Sequence, residues 1–145
     1  MHPALAAARF DNDLAGLTDG LLLQRGWVLF EKTHPLLDLG FTSPSGRQLR
    51  LRFHCENFNE NPPSVTLHTW EGGELTQMPP SSTGIFHPGR HPVTAKFFVC
   101  MRGTREYHTH DSHLADSWAA IRDLSRYRLG EIATQIWNAW IKANA

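Results

Sequence analysis

Residues 48–55 read Gln-Leu-Arg-Leu-Arg-Phe-His-Cys, and this strict alternation restricts the possible folds more than any other segment. Leu49, Leu51, Phe53 and Cys55 lie on one side of a pleated strand; Arg50, Arg52 and His54 lie on the other. A strand that is apolar on one face belongs to an antiparallel sheet with one face on a core and one in water. Its neighbours read as strands too. Residues 27–31 and 36–41 are short apolar runs, and Ser43-Pro44-Ser45-Gly46 supplies the turn that closes the second. Residues 64–70 place Val65 and Leu67 on the inner face. Residues 96–101 form a further short apolar strand, and the Gly/Pro/Ser-rich residues 71–84 read as loop.

Helical patterns flank the strands. Pro3 suits a first helical turn. Leu14, Leu17, Leu21 and Leu22 then recur at spacings of three and four, with a break expected at Gly20 and a stop at Gly26. Toward the other end, Asp116 is placed to cap a helix over residues 117–127 carrying Trp118, Ile121 and Leu124. Leu129, Ile132, Ala133, Ile136, Trp137 and Trp140 form a second helical stripe, which reads as core. Helix, strands, then helices predict an α+β domain: an N-terminal helix, a four-stranded antiparallel meander, and C-terminal helices on one face. The expected organisation is a single domain over residues 1–145.

Composition narrows the functional classes. Formal net charge is zero, with 14 basic and 14 acidic residues, so nothing marks nucleic acid or an anionic membrane as a partner. No apolar run reaches the roughly 18 residues of a membrane span. The first residues lack the basic and apolar regions of a signal peptide, which makes the cytoplasm the expected location. In that reducing setting Cys55 and Cys100 are expected as thiols or thiolates rather than a bridge. Cys55 shares the apolar face of its strand and reads as core.

Chemistry concentrates in residues 100–113, Cys-Met-Arg-Gly-Thr-Arg-Glu-Tyr-His-Thr-His-Asp-Ser-His. Zinc takes Cys thiolate and His nitrogen, and less often carboxylate oxygen. If residues 106–110 are extended, Glu106, His108 and His110 project to one side, and Cys100 joins them across the turn at Gly103. These four are the expected metal ligands, with His113 as a competing fifth and zinc as the metal the donor set implies. A thiol beside imidazoles and arginines is equally the setting of a nucleophilic cysteine, which would make Cys100 catalytic. A zinc-bound thiolate would be a poor thioester former, so Cys100 is not expected to do both. His108-Thr109-His110 lacks the downstream Ser-x-x-Asp of a deubiquitinating metallopeptidase.

The order of elements resembles the ubiquitin-conjugating-enzyme fold. The stretch Asn57-Phe58-Asn59-Glu60-Asn61-Pro62-Pro63 is similar to that family's polar, double-proline loop, and Ile85-Phe86-His87-Pro88-Gly89 to its His-Pro-Asn segment. Phe97-Phe98-Val99-Cys100 stands where the family carries its active-site cysteine. The family's asparagine, thought to stabilise the oxyanion, is replaced: the two pairs read His-Pro-Gly and His-Pro-Val. Cys100, Glu106, His108 and His110 resemble more closely the signature of a smaller bacterial family, a predicted metal-binding domain named for Cys-Glu-His-His. That family is associated with operons encoding ubiquitin-like proteins, activating enzymes and deconjugating peptidases. The resemblance implies a zinc-binding component of a ubiquitin-like modification pathway, partnered by a ubiquitin-like protein and its activating enzyme. It leaves two alternatives: an active conjugating enzyme with a thioester on Cys100, and a non-catalytic adaptor.

Overall fold

A computed structural model describes residues 1–79 and 84–144. Two short helices come first, α1 (Pro3–Asp13) and α2 (Asp19–Arg25). The expected break at Gly20 falls earlier instead: Thr18 caps α2 by accepting a hydrogen bond from the Leu21 amide, so Gly20 sits inside the helix. Gly26 ends α2 in the left-handed region at φ 67°, as its position predicted.

Strands β1 (Trp27–Thr33), β2 (Leu36–Thr42), β3 (Gln48–His54) and β4 (Ser64–His68) form an antiparallel meander in sequence order. Register carries the alternation into three dimensions. Leu37 lies opposite Phe53, Leu39 opposite Leu51, and Phe41 opposite Leu49, all buried. Val65 and Leu67 extend this face onto β4. Cys55 is buried beside it.

The opposite face holds a polar lattice. Asp38 takes a two-pronged hydrogen bond from Arg50, at 2.8 Å on each arm, and a third from Arg52 at 3.0 Å. Gly40 lets the Phe30 and Trp70 rings cross β2, since a Cβ there would lie 2.6 Å from Trp70.

The residues 71–84 expected as loop lie partly outside the described residues. Beyond them, a two-stranded ribbon forms from β5 (Phe86–Arg90) and β6 (Phe97–Val99). The His87-Pro88 segment is therefore strand. Helix α3 (Arg105–Thr109) and a 3-10 turn (Asp111–His113) follow.

The helix expected over residues 117–127 is two pieces, α4 (Trp118–Ile121) and a 3-10 turn (Ser125–Tyr127). Asp116 does not cap it: the cap position is Ser117, and the Asp116 carboxylate is held by Arg102 and Tyr107. The last helix, α5 (Leu129–Ala143), buries Leu129, Ile132, Ala133, Ile136, Ala139 and Trp140 as the stripe predicted. Its Trp140 meets Phe41 of the sheet, and the Trp118 indole N–H donates to the Asn59 carbonyl at 2.8 Å. Among the described residues no helix is long and apolar enough to cross a membrane.

Candidate functional site

Cys100 leaves the end of β6 with its amide bonded to the Ile85 carbonyl, so β5 and β6 fix its backbone. Its side chain is half-buried. Sγ lies 3.7 Å from Nε2 of His113, within reach of a sulfur hydrogen bond. Burial pushes the Cys100 thiol above its ordinary pKa. Little thiolate therefore exists at neutral pH unless a neighbour accepts the proton.

Residues 106–110 are not extended. Thr104, buried after the turn at Gly103, caps α3 by accepting from the Tyr107 amide, and Glu106 and His108 fall on a helical turn. The expected period-two convergence therefore gives way to helical spacing. The Thr104 hydroxyl two residues before Glu106 is the sequence signal for this helix start.

Glu106 is buried and turned to the sheet edge. Its Oε1 accepts from the Val65 amide at 2.6 Å and its Oε2 from the Ser64 hydroxyl at 2.8 Å. The Arg105 amide donates to the Pro63 carbonyl beside them. In an antiparallel ladder alternate residues point both backbone groups outward, so Pro63 and Val65 face away from β3. The carboxylate thus stands where a further strand would place a carbonyl. Burial, opposed by the hydrogen bonds from Val65 and Ser64, raises its pKa to about 7.

His108 is occupied at both nitrogens. Nε2 accepts from the Gly103 amide at 3.1 Å, and Nδ1–H donates to the Asp116 carbonyl at 2.9 Å. Burial lowers its pKa, consistent with the neutral ring this pattern needs. His110 accepts from the Ser112 amide through Nδ1 and stacks on Phe98, with ring centroids 5.7 Å apart. His91, buried on the ribbon, donates from Nε2 to the Glu106 carbonyl and accepts from the Val93 and Thr94 amides through Nδ1. His87 accepts from Gly89 and stacks on Phe98 from 4.8 Å.

The expected ligand set is therefore divided. Cys100, His110 and His113 share one neighbourhood, where the His110 and His113 ring centroids are 5.8 Å apart. Glu106 instead binds the Val65 amide and the Ser64 hydroxyl, and His108 binds two backbone groups. Among the described residues no three His, Cys, Asp or Glu side chains are arranged to hold a metal ion. A zinc ion on all four would require His108 to release one of two backbone bonds and Glu106 to leave the β4 edge. The four residues as folded do not fit that ion.

Beside the thiol, Tyr107 and Asp116 are parts of the site that the sequence does not signal, and spacing marks His113 only as a competing ligand. Tyr107 lies flat on His113, with centroids 4.0 Å apart and planes 12° from parallel. Its hydroxyl donates to Asp116 Oδ2 at 2.8 Å, and Arg102 grips the same carboxylate at 2.9 and 3.0 Å. These hydrogen bonds, from Arg102 first and then Tyr107, hold Asp116 below the ordinary carboxylate range. No short motif encodes this, because the partners are 9 and 14 residues apart and meet only through the turns. In comparisons with known proteins, neither a family model nor a curated protein matches the chain.

Proposed function

We propose that the chain is a ubiquitin-conjugating-enzyme-like protein in which Cys100 carries a ubiquitin-like protein as a thioester. The observation that supports this is the Cys100–His113 pair at 3.7 Å, on a thiol at the end of β6. The pathway and its partners come from the sequence resemblance. In the step proposed, Cys100 Sγ attacks the carbonyl carbon of the thioester joining the ubiquitin-like C-terminus to its activating enzyme. A new C–S bond forms, and the old one breaks with the activating enzyme's sulfur leaving as thiolate. The Cys100 proton passes to His113 Nε2 and from there to the departing sulfur. Since burial disfavours the free thiolate, the imidazole supplies what the thiol lacks.

A zinc-binding role is the second reading, and it rests on the sequence resemblance and the donor types of residues 100–113. The two are separated by measuring the metal content of the purified chain and, in parallel, its adduct with a ubiquitin-like protein and activating enzyme. A thiol-sensitive adduct absent in Cys100→Ser, on metal-free protein, is the expected result. One equivalent of zinc that is lost in Cys100→Ser, with no adduct, would sink the thioester reading.

A further inference from the structure

We propose that Tyr107 is a positioning residue for His113, taking the place of the hydrogen-bonded partner that usually orients a catalytic imidazole. This rests on the reading of Cys100 as nucleophile and His113 as its base. A base next to a nucleophile must be held in one orientation, commonly by a hydrogen bond to its second nitrogen. Among the described residues no such partner holds His113 Nδ1. The ring sits on an exposed 3-10 turn, on a side chain that is only half-buried. What fixes it is the face of Tyr107, parallel within 12° and 4.0 Å away.

That face is itself immobilised. Its hydroxyl is bound to Asp116, Asp116 is gripped by both arms of Arg102, and Arg102 Nη1 donates to the Tyr127 hydroxyl at 3.4 Å. Tyr127 is buried in the core. A continuous set of contacts thus ties the imidazole to the rigid part of the fold.

The test is the rate of Cys100 alkylation by iodoacetamide at pH 7, read by mass spectrometry on the whole chain. Buried Cys55 in the same spectra reports whether the fold is intact. His113→Ala is expected to slow alkylation about tenfold or more, Tyr107→Leu to approach it, and Tyr107→Phe, which keeps the stacked face but loses its tether to Asp116, to fall between wild type and Tyr107→Leu. In the double variant, Tyr107→Leu should add nothing to His113→Ala. A slow His113→Ala beside a fast Tyr107→Leu overturns this proposal alone, as does a Tyr107→Leu effect that persists without His113. A wild-type rate in His113→Ala overturns the thiol–imidazole pair and this proposal together. Should Tyr107→Leu expose Cys55, proton NMR of the wild-type chain decides: His113 ring protons shifted upfield by the Tyr107 face support the proposal, and unshifted ones overturn it.

Discussion

Glu106 shows how one buried carboxylate ties the site to the sheet. Its desolvation outweighs the hydrogen bonds from Val65 and Ser64, so the folded pKa of about 7 lies above the ordinary 4.5. The folded state then holds a proton that the unfolded chain releases. Stability from this group is complete below about pH 4.5 and is lost as pH rises through about 7. The change amounts to about 3 kcal/mol. Ser64 can reverse its hydroxyl to accept from the protonated acid, while the Val65 amide keeps the other oxygen. Urea unfolding at pH 5 and pH 8 should therefore show a smaller loss for Glu106→Gln than for wild type. Equal losses in the two proteins would mean that Glu106 titrates normally. Cys55 and Cys100 shift in the same direction and differ in access. Both thiols are pushed up by burial, but Cys55 is buried in the core while Cys100 is half open. Both residue types could be named in advance, yet their partners could not.

At the scale of the element, residues 100–116 form a turn, a short helix and a 3-10 turn stapled by side chains onto backbone groups. His108 joins the Gly103 amide to the Asp116 carbonyl, closing the segment on itself. Replacing His108 by Ala leaves both groups without that partner and should cost about 1–3 kcal/mol. Melting curves with and without a chelator check the cause: a loss independent of chelator fits a staple, and one that chelator reproduces in wild type fits a ligand. Gly103 is constrained from the other side. Its φ of 103° suits glycine, and a Cβ would lie 2.8 Å from Tyr127 Cδ1. Gly103→Ala should destabilise by about 2 kcal/mol or more, measured by urea unfolding. Little of this segment was legible beforehand. Its residue types suggest chemistry, but their spacing suggests an extended segment where the Thr104 cap makes a helix. A short helix with no apolar stripe leaves no periodic pattern to read, so its caps and tertiary bonds decide it.

For the whole molecule, the sheet and α5 share one core. Trp140 is 2% exposed and packs on Phe41, so Trp140→Ala should cost about 3–5 kcal/mol in equilibrium unfolding. A much smaller loss would mean that α5 is peripheral to the core. The four-stranded meander and α5 were readable in residues 48–55 and 129–140, because long periodic burial writes itself into the order of apolar and polar side chains. Asp38 gave no such signal. Burial alone would raise its pKa, but the hydrogen bonds from Arg50 and Arg52 outweigh it and hold the carboxylate below its ordinary range. By itself, then, the amino-acid sequence determined the class of fold, the inner face of the sheet and the identity of the reactive side chains. Tertiary structure decided their roles. It turned Glu106 to the β4 edge, engaged both nitrogens of His108, and brought His113 and Tyr107 to Cys100. The physical reason is that periodicity records which face is buried, whereas a hydrogen bond or a stacked ring depends on where distant turns place two side chains.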